Sequence, residues 1–162
     1  MLSHERQQEK RDILGLASFG FFLLLIGVIW LITPNLSQAI VDFFNSFTLE
    51  KEVFPNVFLP SPADRHPVVY TAFARFCFVF GLFQIVILVL RFFFREPTDR
   101  VAGTFSGIVF WLGVGFFSNL LAAEALEWFG FLGWFIVFIG MSLVVRSLLM
   151  LLFEVALRKI LK

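Results

Sequence analysis

Four long apolar runs, each able to cross a bilayer as a helix, constrain this chain more than anything else in it. A hydrocarbon core about 30 Å thick takes roughly 20 residues of helix. The first run, Ile13 to Ile32, has no charged residue. The second, from about Pro67 to Leu90, contains one, Arg75. The third, Val101 to Ala122, is uncharged and rich in glycine. The fourth starts at Trp128 and stays apolar to Phe153 except for Arg146. This places spans at 13–32, 67–90, 101–122 and 128–150. The fourth run is longer than a bilayer needs, so it is expected to tilt or to continue as an interfacial or cytoplasmic extension.

Composition agrees. The chain is 59% hydrophobic and 15% charged, against about 45–50% apolar and about 25% charged for a soluble domain. A soluble fold of 162 residues has too little interior for 25 Phe. The near-neutral balance, 13 Lys+Arg against 12 Asp+Glu, gives no basic field for nucleic acid. With one cysteine, Cys77, there is no disulfide framework and no cysteine-based metal site. Ser37-Gln38-Ala39 loosely resembles a signal-peptidase site. The preceding run, however, is longer than the roughly 7–15 residues of a signal core, and its flank mixes Glu5, Glu9 and Asp12 with the basic residues. An uncleaved first span is expected.

Lys and Arg near the spans set the orientation. The tail 1–12 carries Arg6, Lys10 and Arg11, the connection 91–100 carries Arg91, Arg95 and Arg100, and the tail 151–162 carries Arg158, Lys159 and Lys162. The connection 33–66 has only Lys51 and Arg65 against Asp42, Glu50, Glu52 and Asp64, and 123–127 has Glu124 and Glu127 with no base. Four spans put all the basic regions on one side, which predicts cytoplasmic N- and C-termini.

Within 33–66, Leu36, Ile40, Phe43, Phe44 and Phe47 recur at helical spacing, predicting an amphipathic helix near 36–47 in the outer interface. Pro55, Pro60, Pro62 and Pro67 then predict an extended, stiff return, with Asp64 as the next N-cap. Pro97-Thr98-Asp99 is expected to start the third span.

Arg75 is the most conspicuous polar residue in the spans, since an intramembrane charge is costly and tends to have a role. It lies about 12 Å along the helix from Pro67. Its side chain leans toward the outer surface and can snorkel there, or pair with Glu124 or Glu127. Arg146 leans away from its nearer surface, so pairing with Glu96, Asp99 or a lipid phosphate is expected. Gln84 needs a hydrogen bond, expected across to another helix. Nine steps of about 100° put it on the face opposite Arg75, which argues against one polar track through the second span. Gln84 shares a face with Ala74, Cys77 and Gly81. Ser118 and Asn119 are candidate partners for Arg75. Gly103-x-x-x-Gly107 is a candidate helix-packing pair. No nucleophile, base, phosphate loop, metal or cofactor constellation is found, and no carboxylate sits mid-span. The expectation is therefore a protein that is not an enzyme.

The blocks His66-Pro67-Val68-Val69-Tyr70, Gly81-x-x-Gln84-Ile85, Ile108-Val109-Phe110-Trp111-Leu112-Gly113 and Ile139-Gly140-x-Ser142-Leu143-Val144-Val145-Arg146 together resemble small four-span membrane proteins of unknown function found in archaea. The resemblance spans roughly residues 10–150. It implies a cell membrane, most naturally archaeal, and neither an activity nor site residues.

The sequence thus predicts an all-α, four-helix membrane bundle with an amphipathic outer helix. Its expected role is structural or accessory, packed in the lipid bilayer against a second copy or a partner membrane protein, with no nucleic acid. The competing reading is a small transporter or channel acting as an oligomer, with Arg75 and Gln84 in or near a polar path.

Overall fold

The computed structural model describes residues 2–54 and 57–160, with side-chain surroundings for 14–48 and 59–156. Five helices carry nearly all of it: α1 (Leu2–Ile32), α2 (Leu36–Asn45), α3 (Pro67–Phe93), α4 (Thr98–Ala122) and α5 (Trp128–Ile160). Four of them, all but α2, are long and apolar enough to cross a membrane. The N-terminal helix continues through the polar residues Ser3 to Asp12, where Glu, Gln, Lys and Arg are good helix formers. At the other terminus α5 runs on through the basic segment to Ile160.

The main helix contacts are sequential in space: α1 on α3, α3 on α4, α4 on α5. The tightest seam is α3–α4, where small residues let the backbones close. A Cβ built on Gly115 would come within 2.9 Å of the Cys77 Cβ, and one on Gly81 within 2.7 Å of the Leu112 side chain. Cys77, Val114 and Ser118 are 0%, 1% and 1% exposed. Ser118 closes on its own helix, donating to the Val114 carbonyl at 2.8 Å. The other two seams are aromatic. Phe22 of α1 meets Phe76 and Phe80 edge-on at 5.4 and 5.6 Å. Phe117 of α4 stacks on Trp134 of α5 at 4.4 Å, and Phe138 lies where a Gly113 side chain would be.

The segment before α3 differs from the sequence expectation. The amphipathic helix predicted over 36–47 ends at Asn45, because Ser46 caps it and Phe47 opens a strand. In place of a stiff extended return there is an antiparallel hairpin, β1 (Phe47–Phe54) and β2 (Val57–Pro62), which adds a small sheet to an otherwise helical chain. Its register runs from Phe47 opposite Pro62 to Phe54 opposite Val57 with two irregularities. In a two-stranded sheet both strands are edges, so Pro60 and Pro62 are tolerated. Pro55 lies outside the described residues. Such a hairpin is marginal alone, but this one is tied down. Ala63 N–H donates to Ser46 O at 2.8 Å, and Phe43 packs edge-on against Phe47, Tyr70 and Trp128. The N-cap of α3 is His66 rather than Asp64. Its Nε2 lies 2.7 Å from Ser46 Oγ, which ties the start of α3 to the end of α2.

Both α3 and α4 end in the same turn. After α3, Arg95 N–H reaches Phe92 O and Glu96 N–H reaches Arg91 O; after α4, Glu124 N–H reaches Leu121 O and Ala125 N–H reaches Leu120 O. This is the Schellman arrangement, whose left-handed residue is usually glycine. Here Arg95 (φ 50°) and Glu124 (φ 60°) occupy it, so the turns that reverse the chain also carry charge to each end.

Candidate functional site

Polar side chains gather at the two ends of the helices and are separated by the dry α3–α4 seam. The hairpin end has an open cavity of about 340 Å³ between the residues following β2, the start of α3 and the α4–α5 turn. Tyr70 and Trp128 form its aromatic wall, with Asp64, Arg65, Glu124 and Glu127 around the rim. Arg65 is ion-paired with Glu124 across it, both side chains more than half exposed. An exposed pair of this kind contributes little to stability, but it links the β2–α3 connection to the α4–α5 turn.

The opposite end, where the chain turns from α3 into α4, holds a second cleft of about 340 Å³. Its mouth is charged. Arg91 at the end of α3, Asp99 and Arg100 in the first turn of α4, and Arg146 of α5 all line it. Arg91 Nη1 donates to the Arg100 carbonyl at 3.0 Å and lies 3.7 Å from Glu96 Oε2. This pair is largely buried, at 16% and 6% side-chain exposure. Arg146 Nη2 donates to Asp99 Oδ1 at 2.7 Å. Deeper in, the lining becomes apolar and small: Phe80 and Ile87 of α3, Gly103 and Gly107 of α4, with Ser18 of α1 and Gln84. Two buried polar atoms of lining residues, Gln84 Oε1 and Arg91 Nε, have no hydrogen-bond partner, nor does Glu96 Oε2 behind the lining. A buried polar atom without a partner is uncommon and calls for a reason.

Of the sequence candidates, Gln84, Gly103, Gly107 and Arg146 come together in this cleft. Gln84 contacts α4 at Gly107, where its Oε1 lies 2.5 Å from a built Cβ, but that oxygen makes no interhelical hydrogen bond. Gly103 is not a packing contact: a Cβ there meets nothing within 4 Å, because it faces the open cleft. Of the proposed pair only Gly107 touches another helix, and the close approaches lie further along α4 at Gly113 and Gly115. Arg146 is held by Asp99, one of its three expected partners.

Arg75 stands apart from both cavities. It is exposed on the outer face of α3, and among the described residues it makes neither hydrogen bond nor ion pair. Glu124 pairs with Arg65 instead, which reaches it from the β2–α3 connection. Glu127 lines the hairpin-end cavity. Asn119 is exposed and Ser118 is turned into its own helix, so neither reaches Arg75. Of the charged cleft residues, Arg91 and Arg100 are not among the site candidates of the sequence, and Asp99 enters there as an expected partner of Arg146. The signal of the two arginines in the sequence is the clustered basic charge around Pro97, which also sets the expected orientation.

Compared with protein-family models, curated proteins and solved structures, the chain matches none of them.

Proposed function

We propose that this chain is a structural or accessory component of a cell membrane, crossing it four times with both termini in the cytoplasm. The observation that carries the reading is the closed α3–α4 seam, where fully buried Cys77, Val114 and Ser118 separate the two polar cavities. Among the described residues this seam offers packing surface between two separate clefts. Arg75 supports the same reading. A guanidinium on the outer face of a span, lacking a partner among the described residues, is relieved by snorkelling or by an acceptor on a neighbouring protein. An oligomeric transporter would instead need Arg75 and Gln84 on a shared path, and they lie on different sides of α3.

Affinity purification from membranes in mild detergent, followed by mass spectrometry, tests the role. A second copy or a stoichiometric membrane partner is expected to co-elute, with Arg75→Leu reducing recovery several-fold and Arg75→Lys restoring part of it. A chain that elutes alone as a monomer overturns the proposal. Orientation is tested by cysteine labelling. Cys77 is 0% exposed, so it is expected to stay unmodified by a maleimide until the protein is denatured, and an added cysteine then reports alone. A cysteine at Ala63 is expected to react with an impermeant maleimide on intact cells, and one at Thr98 only after permeabilisation. The reverse pattern overturns the orientation.

A further inference from the structure

The cleft near Pro97 does more than lock helix ends. We propose that it binds the phosphoryl headgroup of an anionic phospholipid. Arginines from three helices, Arg91, Arg100 and Arg146, converge on its mouth, with Asp99 the only carboxylate among the described lining residues. Arg91 and Arg146 are visibly oriented. Arg91 is held by the Arg100 carbonyl and by Glu96, and Arg146 by Asp99, in each case through one terminal nitrogen. A guanidinium has five N–H donors in a fixed fork that matches phosphate oxygens. Pinning one nitrogen leaves donors for a ligand with little rotamer entropy left to lose. Arg91 Nε is a buried donor with no acceptor, as expected of a site whose acceptor arrives with the ligand.

Depth adds to the case. About 10 Å further along α3 at 1.5 Å per residue, Gln84 presents a buried Oε1 with no donor. Ile87, one turn toward the mouth from it, and Phe80, one turn deeper, line the same cleft, and a Cβ at Gly103 would meet nothing within 4 Å. Charge at the mouth giving way to mostly apolar walls with a single amide among them follows the change from phosphate to acyl chain in a lipid. The volume, about 340 Å³, is at the small end of ligand pockets. It suits a headgroup whose chains leave sideways into the bilayer. Basic pockets between helices on the cytoplasmic side have this use.

The test uses the full chain in a neutral detergent, so its outcome depends neither on the orientation nor on finding a protein partner. Phosphatidylglycerol and phosphatidylcholine of matched chains are added separately. Bound lipid is read by native mass spectrometry, and unfolding temperature by a thermal melt. Retention of phosphatidylglycerol is expected to exceed that of phosphatidylcholine by at least tenfold, with a higher melt. Each lost charge is expected to weaken retention about fivefold. Arg100→Gln and Arg146→Gln together therefore give a fall on the order of 20-fold. Asp99→Asn removes a repelling carboxylate and is expected to tighten retention, an outcome that a purely structural Asp99 would not give. Arg95→Gln, which removes the same charge outside the lining, is expected to change nothing. Melts in phosphatidylcholine give each variant's baseline fold. Equal retention of the two lipids, or a fall in Arg95→Gln matching that of the cleft pair, overturns the proposal. Millimolar inorganic phosphate reproducing the whole stabilisation overturns the lipid as the source of the phosphoryl group.

Discussion

Gly115→Leu is expected to separate α3 from α4 and leave little folded protein. A Cβ at this position sits 2.9 Å from the Cys77 Cβ and 3.4 Å from the Ala74 carbonyl oxygen and the Phe78 nitrogen. None of these atoms can swing aside by changing rotamer, so the two helix backbones have to part. Overpacking a tight core costs about 1–3 kcal/mol and occasionally more, and a leucine wedged between two backbones lies at the upper end. Gly113→Leu makes a useful comparison. Its Cβ would overlap the Phe138 ring, but a ring can turn away toward lipid, so an intermediate loss is expected. At Gly133 a Cβ meets nothing within 4 Å, and Gly133→Leu is expected to be close to neutral. Unfolding of the three variants in detergent micelles, titrated with sodium dodecyl sulfate, checks the order. If Gly115→Leu is no less stable than Gly133→Leu, the α3–α4 seam is not where the helices are joined.

The same seam shows what was legible in the sequence. The four apolar runs announce helices because lipid imposes length and apolarity residue by residue, and α1, α3, α4 and α5 all contain them. The face of α3 made by Ala74, Cys77, Gly81 and Gln84 follows from helical spacing alone, and it is the face that meets α4. Which glycines of α4 come close is a different matter. Gly103 and Gly107 match a packing motif, yet Gly103 looks into a cleft, Gly107 meets only the Gln84 side chain, Gly115 makes the backbone approach to α3, and Gly113 faces Phe138 of α5. Local spacing does not encode which glycine of a helix meets which neighbour.

The hairpin was hidden for another reason. Residues 47–62 contain three prolines and no clean alternation, and both features count against strands in a sequence reading. What holds β1 and β2 in place is tertiary: Ser46 against His66, and Phe43 against Phe47 and Trp128. The cleft escaped notice similarly. Arg91 and Arg100 are separated by the turn between α3 and α4, and Arg146 comes from another helix. In one dimension they are scattered topological charges, and only the meeting of three helix ends makes them a site.

The second large effect is expected at the foot of that site, from Glu96→Ala. Glu96 is 6% exposed and its ion pair with Arg91 is 3.7 Å long. Deleting one member of a buried pair leaves the other charge uncompensated, at a cost of about 3–5 kcal/mol. Arg91 keeps its bond to the Arg100 carbonyl, which places the expected loss near the lower figure, about 3 kcal/mol. The double variant Arg91→Met, Glu96→Leu is expected to recover most of it, because apolar replacement of both charges removes their desolvation penalty along with their attraction. That contrast separates two roles for the pair. If stability were its purpose, the double variant would remain as weak as the single one. Recovery of stability with loss of phosphatidylglycerol retention would instead show that the charges are kept for the cleft, where Glu96 holds Arg91 at the mouth at some cost to the fold. The turn makes this arrangement hard to relax, since Glu96 N–H is also bonded to Arg91 O at 3.0 Å. The same two residues are thus joined through backbone and side chain, and movement at one is transmitted to the guanidinium of the other.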